Sequence, residues 1–208
     1  MQPDLILTGP LKPEMHAVLN QIAPTLVTSQ WGTPWQEVLQ RVAVILNREA
    51  QAQAFLQGYQ QRVAEVRQQL AAHQGQSLSI VRWNPKGPSY MYKDAFASRV
   101  AQELGLVRPA HQQEAGHTHS PALSLEALER LDGDWLVIGT LSATGEAVDA
   151  MQQATTQPAF RQLGAIRNQH YSAVDGSLWT SVGGPLAAMQ VIADLQQLLA
   201  PSAAQPRQ

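Results

Sequence analysis

The sequence predicts an α/β protein in which two amphipathic helices precede a mostly parallel sheet. Two observations lead to this prediction. Residues 33–74 contain two stretches whose apolar side chains recur every three or four positions, as in helices that bury one face. After residue 76, short apolar runs typical of buried strands alternate with helical patterns, as in parallel sheets covered by helices.

The second helix, residues 49–74, is the longest element that the sequence predicts. No proline interrupts it, and Gly58 weakens it only slightly. With a rise of about 1.5 Å per residue it would be roughly 35–40 Å long. The helix before it begins at a Thr33–Pro34 cap. The apolar stripe of the long helix consists of Ala52, Leu56, Tyr59, Val63, Val66 and Leu70.

Short apolar runs mark the predicted strands. Two of them, residues 4–8 and 25–27, precede the long helices, and two short strands are too few for a sheet with buried faces. Residues 1–32 are therefore expected to be the remainder of a domain whose other strands lie upstream. The later strands are predicted at residues 77–83, 89–92, 135–138 and 171–174, the second of them being either a strand or an extended lip.

The remaining segments are predicted as helices and loops. Residues 107–121 form a polar loop, and residues 201–208 a disordered tail. The chain thus divides into residues 1–32, a helical strut at 33–74, an α/β lobe at 75–200 and the tail. The helices outside the strut are predicted at residues 12–22, 95–104, 124–131, 147–153 and 158–163, and from residue 185 onward.

Composition excludes several classes of protein. A net charge of −2 with 14% charged residues argues against a nucleic-acid-binding surface. No apolar run is long enough to span a membrane, and the first residues do not resemble an export signal. The absence of cysteine excludes a thiolate metal site and a thiol nucleophile. No Walker, nucleophile-elbow or dinucleotide-binding motif is present, so no enzymatic activity is predicted.

The order of several segments is the most informative feature of the chain. They are PDLILT, QIAPTLV, EAQAQAFLQGYQQRVAEV, SIVRW, ELGLVRP, SLEALERLDGDWLVIGT and VDGSLWTSVGGPLAAMQVIADL, and they cover nearly all of residues 3–199. In this order the chain resembles the iron-siderophore and cobalamin substrate-binding proteins of ABC importers. Members of that family have the helical-backbone (class III) periplasmic-binding-protein fold, in which one rigid helix joins two α/β lobes. They bind ligand between the lobes and carry out no reaction.

The resemblance implies how this chain is organised and what it binds. It implies a complete carboxyl-terminal lobe, an interdomain helix and a remnant of the amino-terminal lobe. It also implies a ferric siderophore as ligand, no cofactor, an ABC permease as partner and a periplasmic or cell-surface location, although this chain shows no export signal. Because half of the cleft is expected to be missing, full ligand affinity is not implied.

Candidate ligand-binding residues follow the first strand of the lobe. Arg82 and Trp83 lie at the end of that strand, where open α/β sheets bind ligands. A guanidinium suits the oxygens of an anionic ferric chelate, although a surface arginine at a strand end is the alternative. Tyr90 and Tyr92 alternate with Met91, so in an extended segment they point the same way. They suit a siderophore, or one of them packs on the next helix.

Two further tryptophans are candidates. Trp179 precedes the Gly183–Gly184 bend into the last helix, whose backbone amides could hold an anion, and the alternative is a buried tryptophan at a helix entry. Trp31 lies in the loop expected to face the cleft from the other lobe.

Three histidines and a glutamate lie close together in the polar loop. His111, Glu114, His117 and His119 could bind zinc, since the His-x-His spacing brings two imidazoles near one another. Solvated loop histidines are the favoured alternative, and no dedicated metal site is predicted. The resemblance places this loop beside the cleft, so His117 or His119 is a candidate for ligand contact.

The resemblance also assigns a docking role to one carboxylate. Family members present a glutamate on each lobe to arginines of the permease, and Glu126 lies in the matching short helix, with Glu129 as the second choice. Stabilisation of that helix start by a carboxylate is the alternative explanation.

The sequence therefore favours a binding protein that delivers a ferric siderophore to an ABC permease. Two alternatives stay open at this point: a cobalamin or haem carrier on the same scaffold, and a doubly wound α/β enzyme or regulatory domain that binds a phosphate-bearing ligand.

Overall fold

The computed structural model describes residues 2–181 and 183–200. The chain divides into two compact units, Met1–Gln57 and Gly58–Gln208. The division falls within α3 (Glu49–Gln69), the long helix that the sequence predicts.

The first unit contains a two-stranded parallel sheet. β1 (Ile6–Thr8), α1 (Pro13–Asn20), β2 (Thr25–Val27) and α2 (Trp35–Ile45) precede α3. The two predicted strands are confirmed, with β1 beginning later than expected, and Ile6 lies opposite Thr25. The side-chain oxygen of Asn20 accepts a 2.8 Å hydrogen bond from the backbone N–H of Thr25, which fixes the end of α1 to β2.

The α3 helix ends earlier than predicted. It spans 21 residues, about 31 Å, and a short 3₁₀ helix, Ala71–His73, follows it. The side-chain amide of Gln74 donates to the carbonyl of Leu70 at 3.3 Å and to that of Leu104 at 2.9 Å, and so caps two helix ends at once. Gly75, at φ +79°, then turns the chain away. The predicted stripe is confirmed, since Ala52, Tyr59, Val66 and Leu70 are all buried.

The second unit contains a four-stranded sheet. It consists of β3 (Leu78–Asn84), β4 (Gly87–Tyr90), β5 (Trp135–Thr140) and β6 (Tyr171–Ala173), in the order β4-β3-β5-β6. The pairs β3–β5 and β5–β6 are parallel, as predicted. β4 pairs antiparallel with β3 because the two are joined by a tight turn, and it ends at Tyr90 rather than at residue 92.

Helices cover both faces of this sheet. Val81, Trp83, Leu136 and Ile138 share one apolar core with the helices that follow β5 and with the 3₁₀ helix Leu125–Leu131. The other face is covered by the helices that follow β4 and β6. The helices are α4 (Phe96–Glu103), α5 (Glu146–Thr155), α6 (Pro158–Arg161), α7 (Gly164–Arg167), α8 (Gly176–Thr180) and α9 (Pro185–Leu199), together with the short 3₁₀ helix Ala110–Gln112.

Two helices differ from the prediction because carboxylates cap them. The predicted helix 158–163 ends at Arg161 as α6, and α7, which was not predicted, follows it at Gly164. The Asp132 carboxylate accepts hydrogen bonds from the backbone N–H groups of Gly164 and Ala165 at 2.6 and 3.1 Å. The Asp175–Gly176 pair predicts a turn after β6, but α8 begins there instead. The Asp175 carboxylate accepts hydrogen bonds from the backbone N–H groups of Ser177 and Leu178 at 2.9 and 3.1 Å.

The polar loop predicted at 107–121 protects an edge of the sheet. Its later part runs along β4, with the N–H of Tyr92 donating to the carbonyl of Thr118 at 3.0 Å and that of Ser120 to the carbonyl of Tyr90 at 2.9 Å. The N–H of Leu123 donates to the carbonyl of Pro88 at 2.8 Å. Covering an edge strand in this way prevents unwanted strand pairing.

No helix within residues 2–181 and 183–200 combines the length and the apolar character that a membrane-spanning segment needs. The predicted disordered tail, residues 201–208, lies outside the described residues.

Candidate functional site

The carboxyl ends of the parallel strands define the candidate site. In open α/β sheets these ends meet at one edge, where ligands bind. β3, β5 and β6 end at Asn84, Thr140 and Ala173. Arg82 lies opposite Gly139, one residue before the end of β5, so the predicted arginine does lie near this edge.

Arg82 is half-buried, and the described residues give its side chain no hydrogen-bond or ion-pair partner. Its Nε atom is buried without a hydrogen bond, and no carboxylate among the described residues forms an ion pair with its guanidinium. Burial alone lowers the pKa of Arg82 below its ordinary value. Buried polar groups normally have partners, and an exception needs an explanation. An anionic ligand at this edge would supply the charge partner that the described residues do not give the guanidinium.

Two facing glycines bring the chain close together at the same edge. A Cβ atom on Gly139 would lie 2.6 Å from backbone atoms of Gly176 and from the carbonyl oxygen of Val174. A Cβ atom on Gly176 would lie 2.6 Å from the backbone of Gly139 and Thr140. The segment after β6 therefore crosses β5 at a distance that only two glycines allow.

Sequence reasoning missed two groups at this edge. Lys86, in the β3–β4 turn, is an exposed cation four residues after Arg82. Residues 141–145, which follow β5, are all exposed, and the Thr140 hydroxyl donates to the carbonyl of Ser142 at 2.6 Å. Residues 141–145 could have been found from their position, because this polar segment directly follows the clearest buried strand in the sequence.

Two of the candidate tryptophans are core residues. Trp83 is 1% exposed and its ring lies 6.4 Å from that of Phe160, on the face of the sheet opposite to Arg82. Trp179 is fully buried, and its indole N–H donates to the carboxylate of Asp194 at 2.8 Å. Their burial gives these two side chains no surface to offer a ligand, and it fits the core alternative in both cases.

Tyr90 and Tyr92 point the same way, as the alternation predicts. Their ring centroids are 5.3 Å apart at 88°, and both are buried. Burial, together with the neighbouring Tyr90 and Glu114, raises the pKa of Tyr92 to about 12. The hydroxyl of Tyr90 accepts a hydrogen bond from Arg130 at 2.9 Å.

The loop histidines lie away from the carboxyl edge. His119 bridges to Met91, which pairs with Ile80 in the amino half of β3, and its Nδ1 lies 2.8 Å from the carbonyl of Ser120. The ring of His117 lies 6.4 Å from that of Tyr92. His119 therefore lies beside the residue that follows β4, and His117 lies near Tyr92, rather than at the residues that end β3 and β5.

A zinc site does not form in this loop. Within the described chain, no group of three or more histidine or carboxylate side chains is close enough to hold a metal ion. Instead, the Nε2 atom of His111 lies 2.7 Å from the carbonyl of Arg130, and Glu114 lies beside Tyr92.

The predicted ligand contact Trp31 and the predicted permease-docking residue Glu126 are both exposed. Trp31 is 88% exposed in the first unit. Glu126 is exposed on the 3₁₀ helix Leu125–Leu131, three residues after Leu123, whose N–H is bonded to Pro88 of β4, and the described residues provide Glu126 with no hydrogen bond or ion pair. Glu129 is exposed on the same helix.

Residues 1–177 match a family described as periplasmic binding protein. This chain is a member of that family. The four-stranded sheet of the second unit agrees with the α/β lobe that the sequence predicts for residues 75–200. The family consists of substrate-binding proteins rather than enzymes.

The curated relatives of this family member are longer than the chain itself. A probable siderophore-binding lipoprotein of Bacillus subtilis, YfiY, is 25% identical over 204 residues, which is 94% of this chain and 63% of that protein. The ferric-anguibactin-binding protein FatB of Vibrio anguillarum is 25% identical over 205 residues, 93% of this chain and 62% of that protein. The chain thus spans somewhat less than two thirds of the length of these relatives.

Solved structures confirm the predicted fold class. Staphylococcus aureus SirA complexed with staphyloferrin B has a TM-score of 0.81 at 21% identity, covering 95% of this chain and 72% of that chain. The iron-uptake system-binding protein FeuA of Bacillus subtilis has a TM-score of 0.80 at 18% identity, covering 95% of this chain and 72% of that chain. At these identities the likeness shows the fold alone.

Proposed function

We propose that this protein is the substrate-binding component of an ABC importer and that it binds a ferric siderophore through Arg82. The observation that supports the proposal most strongly is the half-buried guanidinium at the carboxyl edge of the sheet, to which the described residues supply no partner. The names of the relatives described above, which refer to siderophores and iron uptake, support the class of ligand.

The chemistry of a ferric chelate fits this arginine. Carboxylate, hydroxamate and catecholate oxygens carry negative charge, and a guanidinium binds such oxygens through charge-assisted hydrogen bonds. Part of the desolvation of Arg82 is already present before binding, so the pair forms in an environment where water competes weakly. Lys86 and the polar segment 141–145 lie at the same edge and would contact the rest of the chelate.

Calorimetry with a panel of chelates tests this proposal. Ferric staphyloferrin B, ferrioxamine B and ferric citrate would be titrated into the wild-type chain, into Arg82→Gln, and into Arg161→Gln as a matched control. Arg161 is an exposed arginine of α6, which packs on the opposite face of the sheet from Arg82. A lost charged hydrogen bond of about 1.5–3 kcal/mol predicts a weakening of roughly ten- to 150-fold for Arg82→Gln and none for the control.

Two results would count against the proposal. Equal affinity in Arg82→Gln and the wild type would remove Arg82 from the site. Binding of cobalamin or haem in place of the three chelates would overturn the ligand class. Contact of Trp31, Tyr90, Tyr92, His117 or His119 with ligand stays a prediction, which the same titration of their variants would test.

The partner that follows from this function is a permease of an ABC importer, and we propose that Glu126 docks on it. Its carboxylate is exposed and free of intramolecular partners in the described chain, which leaves it available for an arginine of another protein. A charge at the rim of an interface mainly affects the association rate and its salt dependence. Glu126→Gln should therefore slow docking and make it less sensitive to salt, whereas Glu129→Gln on the same helix should not. Unchanged docking by Glu126→Gln would refute this role. A periplasmic or cell-surface location is part of the same proposal.

A further inference from the structure

Arg108 is a buried arginine that no carboxylate neutralises within the described residues. It is 2% exposed, and all of its described partners are carbonyl or amide oxygens. Its guanidinium donates to the carbonyl of Met91 at 3.2 and 2.8 Å and also to the carbonyl of Leu78. Leu78 begins β3 and Met91 directly follows the end of β4, so no further β4 residue pairs with the sheet there. Arg108 supplies the hydrogen-bond donors that a longer β4 would otherwise provide to these backbone carbonyls.

Gln112 connects this arginine to the next segment of the chain. It is fully buried, and its Oε1 atom accepts a 2.6 Å hydrogen bond from Arg108. Its side-chain amide donates to the hydroxyl of Ser79 at 2.9 Å and to the carbonyl of Arg130 at 3.1 Å. Nε2 of His111 lies 2.7 Å from the same carbonyl of Arg130. Two neighbouring side chains thus hold one backbone oxygen near the end of the 3₁₀ helix Leu125–Leu131.

The side chain of Arg130 is held as well. It donates to the hydroxyl of Tyr90 at 2.9 Å, and its guanidinium carbon lies 5.6 Å from the centre of that ring. The carboxyl end of the 3₁₀ helix is therefore fixed to the sheet through both backbone and side chain.

The 3₁₀ helix cannot set its own orientation. Helices of this type have poor hydrogen-bond geometry and are stable only in short pieces. This one is bent at Ala127, with φ −107° and ψ 23°, and Ser124 makes no capping hydrogen bond with its side chain. Its direction must come from Leu128 and Leu131, which are buried in the core, and from the polar contacts at Arg130.

We propose that Gln112, supported by Arg108, is a positioning residue that fixes the direction in which this helix presents Glu126. The inference rests on the proposed docking role of Glu126. In an apolar core, a polar network that is fully satisfied holds one arrangement in preference to others. The buried contacts would thus determine how the exposed carboxylate meets an arginine of the permease, although neither Gln112 nor Arg108 touches the partner.

Gln112→Glu is the most informative variant. Glutamate keeps an oxygen for Arg108 but loses the donor that reaches the carbonyl of Arg130. Tyr90→Phe is a second, independent variant, because it removes the hydroxyl that binds Arg130 and retains the ring. Gln152→Glu makes the same chemical change at an exposed position of α5 and is the matched control.

Three measurements would be made on the full chain: amide hydrogen exchange of Leu125–Leu131, affinity for the permease in nanodiscs, and affinity for a ferric chelate. Each lost hydrogen bond is expected to speed local exchange and weaken docking by roughly two- to tenfold. The chelate affinity of Gln112→Glu should stay within about twofold of the wild type, which a general loss of stability would not allow. It is not a criterion for Tyr90→Phe, because Tyr90 is itself a candidate ligand contact. The control should change none of the three.

The outcomes separate this inference from the proposed function. If exchange and docking are unchanged in both Gln112→Glu and Tyr90→Phe, the positioning role is wrong, even if Glu126→Gln fails to dock. If exchange rises in the two variants while Glu126→Gln docks normally, the anchoring of the helix is supported and the docking role of Glu126 is wrong. Faster exchange and weaker docking in both variants, with unchanged chelate affinity in Gln112→Glu, would support both.

Discussion

Replacing either of the two facing glycines should open the carboxyl edge of the sheet. In Gly139→Ala the new methyl carbon would lie 2.6 Å from the Cα and N atoms of Gly176 and from the carbonyl oxygen of Val174. An ordinary contact begins near 3.4 Å, and every opposing atom belongs to the backbone, so no side chain can rotate away. The chain after β6 must therefore move by several tenths of an ångström.

The expected loss of stability is that of an overpacked core, about 1–3 kcal/mol. For a protein of this size each kcal/mol lowers the melting temperature by roughly 2–4 °C. The displacement also reaches the ligand site, because Gly139 is the cross-strand neighbour of Arg82. We therefore expect Gly139→Ala and Gly176→Ala to weaken chelate binding as well.

Urea unfolding monitored by tryptophan fluorescence would measure the effect, because Trp83, Trp135 and Trp179 all belong to the second unit. Gly58→Ala is the matched control: a Cβ atom there would contact nothing within 4 Å, and alanine in a helix interior is about 0.5–1 kcal/mol more favourable than glycine. A free energy of unfolding for Gly139→Ala within about 0.5 kcal/mol of the wild type would refute the close approach on which this reasoning depends.

Three further predictions concern single side chains. The Asp134 carboxylate accepts hydrogen bonds from the backbone N–H and the hydroxyl of Ser77, and these bonds lower its pKa. The stability that the ionised carboxylate contributes is present above the unfolded-state pKa of 3.8 and is lost as pH falls through the lower folded-state pKa. Asp134→Asn should therefore be less stable at neutral pH, and its stability measured by urea unfolding should fall less steeply in acid. For Tyr92, whose pKa is raised to about 12, stability is present below 10.0 and declines as pH rises toward 12, so Tyr92→Phe should reduce the slope of stability against pH in that range, and an unchanged slope would contradict the assignment. Trp179→Phe removes the indole N–H that Asp194 accepts and leaves a cavity at a fully buried position, so we expect thermal unfolding to show a loss of at least about 1–3 kcal/mol, and a stability equal to that of the wild type would contradict this.

The parts of the fold that were predicted from sequence are those with strong periodicity. β3 and β5 were identified because continuous apolar runs mark strands buried on both faces. The apolar stripe of α3 was predicted from the three- and four-residue spacing of its side chains. The end of the helix was not, because the side-chain amide of Gln74 caps both α3 and the end of α4, which is distant in sequence. The start of α8 was read as a turn, although Asp175 is a good N-cap residue and offered a usable signal.

The candidate site was predicted only in part. Arg82 was chosen for its place at a strand end, and the structure puts it near the carboxyl edge without a partner. Trp83 was chosen with it, yet neighbours in a strand point to opposite faces, and this alternation alone argues for separating them. The buried roles of Arg108 and Gln112 could not be predicted, because a polar loop does not reveal which of its polar side chains have partners.

The polar loop also has a practical consequence for reagent design. Residues 113–117 are all exposed, and they lie between two anchored points, the buried Gln112 and the backbone bond from Tyr92 to Thr118. Exposed loop tips between fixed ends tolerate insertions well. A fluorophore attachment sequence or a small reporter domain placed at residues 113–116 would leave His117, Arg82 and the ends of the strands unmodified. Such a chimaera could report on chelate capture without labelling the edge at which capture is proposed to occur.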